Sequence, residues 1–258
     1  MYTWNNTDLE TMGIVVESYP NMPKAESNVT TFTTLGRDGY VAFDEGTYQP
    51  IIIELKCHFN PNLTTATYEQ ARAFLNGFGM LSFDGTTEYS GYVYGTIDFD
   101  KVNRTEFRRF VVQFACQPFR HSIQSKTFTY TTFPQTLVVG GTTYTRPIIE
   151  LEGSGDNTLT INSKGFIIYG METGRTYTID CQLMNIYDDL GNNCSNMMRF
   201  GFPKLVVGNN TIESGTSGIA ITDGDGNIIV DDDGAVMTIT GTSGITSMKI
   251  TYKEAWLW

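Results

Sequence analysis

Histidine and cysteine are scarce in this 258-residue chain: two of the first, His58 and His121, and four of the second, Cys57, Cys116, Cys181 and Cys194. A nucleophile–base–acid set would need one of those histidines, and no Gly-x-Ser-x-Gly elbow accompanies either. Both lie in or beside strand-like runs and read as structural. No two cysteines stand at CxxC spacing, which excludes a zinc ribbon or a thioredoxin-like motif. Basic residues are also few, 17 against 28 acidic, for a formal net charge of −11. Nucleic acid and anionic membrane are poor general partners for such a chain, because counterion release needs clustered Lys and Arg. No stretch approaches the roughly 18 apolar residues of a membrane span. Met1–Asp8 has neither the basic nor the apolar region of an export signal. A soluble protein made in a cytosol, with unpaired cysteines, is the expectation.

What the chain does hold is apolar and aromatic. Hydrophobic residues make up 40% and charged ones 17%, with 26 Gly, 14 Tyr and 16 Phe. That excludes a disordered chain or a coiled coil, and it can fill one large core or two of about 130 residues each. Short runs rich in β-branched and aromatic residues predict strands at Ile14–Val16, Tyr40–Phe43, Ile51–Leu55 and Phe110–Phe114. One segment predicts a helix, about 67–76. Thr67 to Gln70 has the form of a capping box, Tyr68, Ala71, Leu75 and Phe78 share one helical face, and Gly77 can end it. Pro118, Pro134 and Pro147 punctuate a boundary region, and its alternating Phe128, Tyr130 and Phe133 suit an extended arm or edge strand. A split at 133 leaves 10 basic and 14 acidic residues before it and 7 and 14 after. Beyond it, strands are predicted at Ile148–Leu151, Leu159–Ile161, Gly165–Tyr169, Tyr177–Ile179 and Lys204–Val207, a spacing that suggests a sandwich.

No pair of carboxylates stands out for glycoside cleavage. Asp223-x-Asp225-x-Asn227 begins like a calcium loop, but Ile228 and Gly234 stand where an EF-hand needs Gly and a bidentate Glu. Turn chemistry explains those residues better. Gly215-Thr216-Ser217-Gly218-Ile219 recurs as Gly241-Thr242-Ser243-Gly244-Ile245, and the 44 residues from Leu205 to Met248 contain no Lys or Arg. This segment reads as an inserted, peripheral hairpin region, about 215–240. Gly36-Arg37-Asp38-Gly39, between two strand-like runs, reads as a hairpin loop with Gly39 supplying the positive φ. A simple turn does not explain Arg37, whose forked guanidinium suits a carboxylate.

The order of several weak motifs is more specific than any one of them. Asn6–Ile14 is followed by Leu35-Gly36-Arg37-Asp38-Gly39, then by Gly46-Thr47-Tyr48-Gln49-Pro50, Phe74-Leu75-Asn76-Gly77 and Val111–Phe119. Arg146–Gly155, Leu159–Asn162, Ile179-Asp180-Cys181, Phe202–Leu205 and Gly208–Ile212 continue the series. Over nearly the whole chain this resembles the distal tail proteins of long-tailed, non-contractile bacteriophages, a phage tail protein family. About 26 residues, roughly Gly215 to Thr240, depart from the family pattern and coincide with the acidic repeat.

The resemblance implies a mainly β protein. A tail-tube-like β domain with one helix, residues 1–133, would form a hexameric ring. A galectin-like β-sandwich, residues 134–258, would project from it. It further implies a non-enzymatic structural virion protein of the phage tail tip, with no cofactor and no metal, assembled in the bacterial host cytoplasm. Its partners would be further copies of itself, the tail tube protein, the tape-measure protein, and a tail-associated lysin or receptor-binding protein. Gly36, Arg37, Asp38 and Gly39 are the interface or turn candidates. A carbohydrate-binding module is the alternative, with Tyr169, Tyr177 and Tyr187 as rings that could stack on sugars.

Overall fold

A computed structural model of the protein describes residues 1–60, 65–98, 109–214, 219–220, 238–239 and 244–257. Two compact units divide it: Met1–Ile123 with Trp256–Trp258, and Gln124–Ala255. Among the described residues no helix is long and apolar enough to cross a membrane.

The first unit opens with β1 (Thr3–Trp4), β2 (Thr7–Asp8) and β3 (Ile14–Val16), followed by β4 (Ser27–Phe32), β5 (Val41–Tyr48) and β6 (Ile51–Phe59). Helix α1 (Thr65–Phe74) leads to β7 (Phe78–Ser82), β8 (Thr87–Tyr94) and β9 (Arg109–Ser122). A sheet runs β2-β1-β7-β8-β9-β6-β3, while β4 and β5 pair only with each other. The main sheet buries one face. Along β6, Ile51, Ile53, Leu55, Cys57 and Phe59 are buried while Ile52, Glu54 and Lys56 are exposed, the period of two that a half-buried strand requires. Opposite them, Phe110, Val112 and Phe114 of β9 join Trp4, Leu9 and Ile14, and Trp4 lies 4.9 Å from Phe114 between ring centroids. Ala71 and Leu75 complete this core from α1 and its end.

The helix begins two residues before the expected start, so Thr67 lies inside it and is not its cap. Its end agrees with Gly77, whose φ of +73° is the left-handed geometry that stops a helix. Phe78 is not on the helical face: it starts β7 and is 83% exposed.

The second unit packs two five-stranded sheets around one core. Its strands in chain order are β10 (Lys126–Tyr130), β11 (Gln135–Val139), β12 (Ile148–Gly153), β13 (Gly155–Ile161), β14 (Lys164–Met171), β15 (Thr176–Asp180), β16 (Asn185–Asp188), β17 (Met198–Arg199) and β18 (Gly208–Ser214). They are followed by β19 (Ile219–Ala220), β20 (Thr238–Ile239) and β21 (Ile245–Tyr252). One sheet is ordered β10-β21-β12-β15-β16 and the other β11-β18-β13-β14-β17. β22 (Ala255–Leu257), whose Trp256 and Leu257 belong to the first unit, extends that unit's own sheet by pairing with β9. Ile149, Leu151, Ile179, Met248 and Ile250 from the first sheet meet Leu137, Ile161, Phe166, Ile168 and Ile212 from the second. The alternating Phe128 and Tyr130 lie on β10, an edge strand.

Lys204–Val207 is not a strand. Only Leu205 makes a bridge, with Thr145, while Val206 and Val207 are about half exposed. The buried Asn210 side chain replaces the missing ladder: its Oδ1 accepts from the Val206 amide at 2.8 Å and its Nδ2 donates to the Val206 carbonyl at 2.8 Å. Where the acidic insertion was expected, β19 and β20 pair antiparallel, Ile219 opposite Ile239. Residues 221–237, which include the calcium-like Asp223–Asn227 and Asp231–Asp233, lie outside the described residues.

Candidate assembly surface

The candidate loop is the tip of a projecting arm. In β4 and β5 the register sets Phe32 opposite Val41 and Thr30 opposite Phe43. Side chains alternate across a strand, so Phe32, Val41 and Phe43 share one face of the ribbon. Those three are 57%, 40% and 62% exposed, and Tyr40 and Leu35 at the tip are more exposed still. The arm is tied down at its base. Ala25 is buried and Tyr48 packs edge-on against Phe119 at 5.6 Å, while the Gln49 amide donates to the Glu26 carbonyl at 2.8 Å. Polar links hold the ribbon itself: Thr30 Oγ1 donates to Glu45 at 2.6 Å and Asn28 Nδ2 to Thr47 at 2.8 Å. A two-stranded ribbon is marginal in water by itself, and exposed apolar patches commonly mark interaction sites.

At the tip, Gly36 and Gly39 have φ of +80° and +83°, which side-chain-bearing residues rarely adopt. The Arg37 amide donates to the Thr34 carbonyl at 3.2 Å, closing the turn. Arg37 and Asp38 are both exposed, and neither forms an ion pair among the described residues.

A second apolar surface lies on the outer face of the main sheet. The registers Phe78–Tyr92, Tyr92–Ala115 and Ala115–Ile52 line these residues up in a row across β7, β8, β9 and β6. The Phe78 and Tyr92 rings lie 5.3 Å apart, and Tyr94 continues the patch 6.4 Å from Tyr92. Gly91 makes the close strand approach possible: a Cβ there would come within 2.5 Å of the Ala115 carbonyl and 2.9 Å of the Cys116 Cα. Neither this row nor the apolar face of the arm was singled out from the sequence. Their signal was present only as Phe and Tyr at strand positions, where core residues look the same.

Glu17 Oε1 lies 3.3 Å from His58 Nδ1 and 3.0 Å from Arg109 Nε. The four cysteines are unpaired, and burial pushes the thiols of Cys57, Cys116 and Cys181 up to about 12. Such thiols are protonated and inert at neutral pH. Among the described residues no group of three or more His, Cys, Asp or Glu is placed to hold a metal ion. Of the tyrosines considered for sugar stacking, Tyr177 is buried with its hydroxyl accepting from the Glu172 amide at 3.1 Å, and Tyr169 and Tyr187 are half-buried.

The architecture is that of a mainly β protein with one α-helix among the described residues, spanning two units. Specifically, the chain shares its fold with the SPP1 Dit (gp 19.1) protein, described as a paradigm of the hub adsorption apparatus in phages that infect Gram-positive bacteria. The two superpose with a TM-score of 0.71 and 12% identity over 99% of this chain and 98% of that one. The phage P2 baseplate in its activated conformation with Ca aligns at a TM-score of 0.47 and 6% identity, over 96% of this chain and 92% of that one. No family model and no curated protein matches the chain.

Proposed function

We propose that this chain is a structural hub protein of a phage tail, a virion component without enzymatic activity. The observation that carries the reading is the shared fold with SPP1 Dit along 99% of the chain, so that both units take part in the likeness. On this reading the protein forms a homo-hexameric ring at the distal end of the tail, assembled in the host cytoplasm. The ring joins the tail tube and tape-measure proteins on one side to a tail-associated lysin or receptor-binding protein on the other. Residues 1–133 form the ring, 134–258 the outward galectin-like sandwich, and about 215–240 a hairpin at its periphery.

A head-to-tail ring needs two unlike surfaces on each subunit. The exposed arm face, Phe32, Val41 and Phe43, supplies one such surface, and Arg37 and Asp38 at its tip supply charges that form no ion pair among the described residues. Gly36 and Gly39 shape the turn that presents them. Native mass measurement of the full chain tests the assembly. A six-fold mass is expected; a strict monomer at high concentration that binds glycan tightly overturns the hub in favour of a carbohydrate-binding module. In Arg37→Ala the monomer stays folded and assembly weakens; an unchanged oligomer mass removes the loop from the interface.

A further inference from the structure

In this acidic chain, three cations of the second unit act on one another, and none of them forms an ion pair among the described residues. The bridge between Thr145 and Leu205 is antiparallel and made by two hydrogen bonds of 2.9 Å. Arg146 follows Thr145 and Lys204 precedes Leu205, so the two cations flank the bridge on facing segments, where like charges repel. Thr145 and Leu205 point into the core, so Arg146 and Lys204 turn to the other, accessible side. Lys164 is the third member. Burial, and after it the charges of Arg146 and Lys164, hold the Lys204 ammonium below its ordinary range. None of the three has an ion-pair partner among the described residues, whereas Lys126, Arg175 and Lys249 of the same unit each have one.

The cluster is held by a rigid frame. Pro147 follows Arg146 and Pro203 precedes Lys204, both prolines buried, which removes backbone freedom beside each cation. The Lys204 ammonium sits 4.3 Å from the centroid of the Tyr144 ring. Lys164 follows the two-residue turn Asn162–Ser163, whose φ values of 52° and 63° are those of a type I′ hairpin. Asn162 Nδ2 donates to Asn210 Oδ1 at 2.7 Å, the same oxygen that accepts from the Val206 amide. One buried amide therefore ties the turn that carries Lys164 to the loop that carries Lys204.

We propose that Arg146, Lys164 and Lys204 form a binding site for a phosphate-bearing ligand. Folding does not require the arrangement, since the opposed charges work against it. A phosphate oxyanion relieves the repulsion, its oxygens take the charge-assisted donors of one guanidinium and two ammonium groups, and its geometry suits a guanidinium fork. Arg146 keeps donors for it after one N–H is given to the Cys181 carbonyl at 3.3 Å. A carboxylate, with a single charge, matches three cations less well.

The test is an NMR titration of the full-length chain at fixed ionic strength. Inorganic phosphate stands for a phosphomonoester, dimethyl phosphate for a phosphodiester within a polymer, and acetate is the control. Saturable shifts at the Tyr144 ring and the Lys204 side chain are expected with one or both phosphates. Affinity should weaken about tenfold in Lys204→Gln and in Lys164→Gln, and acetate should bind more weakly than the better phosphate. Which phosphate binds more tightly identifies the source. Absence of saturable shifts, equal response to acetate, or unchanged affinity in both variants overturns the site. A second readout is independent of ligand: without phosphate, Lys204→Gln should melt at or above the temperature of the unsubstituted chain. A lower melting temperature would assign Lys204 to stability through Tyr144 and end the proposal.

Discussion

Replacing Asn210 tests how the loop before β18 is held. Its side chain is fully buried, and it accepts from Val206 N at 2.8 Å and from Asn162 Nδ2 at 2.7 Å. It donates to the carbonyls of Val206 at 2.8 Å and Gly208 at 3.1 Å. Each such bond contributes on the order of 1 kcal/mol net, and a partner left buried and unpaired loses more. Val206 is about half exposed, so water can reach part of what Asn210→Ala would orphan. The expected loss is therefore about 2–4 kcal/mol, read from urea unfolding with an unchanged m-value. Asn210→Asp separates the roles. It keeps the acceptor but sets a carboxylate oxygen against two carbonyl oxygens, so near neutral pH it should be at least as destabilised as the alanine variant. The native state favours the protonated acid, which can donate, so the folded pKa lies above the unfolded value near 4. With a raised pKa, the contribution is fully present below the unfolded value and fades as pH rises through the folded one. Asn210→Asp should accordingly recover stability on acidification from pH 7 toward 4. If aspartate is tolerated within about 0.5 kcal/mol at pH 7, the donor–acceptor assignment at Asn210 is wrong.

Three further outcomes follow from other parts of the molecule. Phe32→Ser with Phe43→Ser should leave the unfolding free energy within about 0.5 kcal/mol, as expected at exposed positions, yet shift the sedimentation profile toward monomer; unchanged assembly would clear the arm of an interface role. For Asp84, burial raises the carboxyl, but the amides of Thr86 and Thr87 and the Thr87 hydroxyl outweigh it and hold the pKa at about 2. This lowered pKa stabilises above the unfolded value and the benefit is lost between about pH 4 and 2; with the side chain 40% exposed, screening leaves about 1 kcal/mol, which Asp84→Asn should remove from the acid titration of stability. At pH 8 a thiol reagent should modify half-buried Cys194 first, because thiols near 12 carry roughly one thiolate in ten thousand; equal rates at all four would show the cores opening freely.

Several strands were legible from short runs of β-branched and aromatic residues. Ile51–Leu55, predicted from its β-branched run, lies in β6, whose burial falls at every second position. Helix α1 was legible from its spacing, but Phe78 fitted the helical period while belonging to the next strand, because Gly77 ends the helix and resets the geometry between them. Lys204–Val207 failed for a different reason. Its β-branched pair has the propensity of a strand, yet the Asn210 amide occupies the backbone groups that a neighbouring strand would need, and propensity yields to that tertiary hydrogen bonding.

The candidate surfaces were less legible, for a reason rooted in what hydrophobicity reports. Val41-Ala42-Phe43 has the composition of a buried strand, and from composition alone water is excluded from it. In the folded unit the same run lies in a stretch, Val41–Thr47, that is exposed throughout and, among the described residues, hydrogen-bonded only to β4. Glycines at both shoulders of its turn and tight anchoring at Tyr48 show that the arm is shaped and held. An apolar ribbon that is well built yet left exposed among the described residues contradicts the usual outcome of folding. That contradiction disappears when the covering surface belongs to another molecule. Only three-dimensional structure distinguishes this case from a core strand, because the sequence pattern records that a residue avoids water and does not record which chain excludes it.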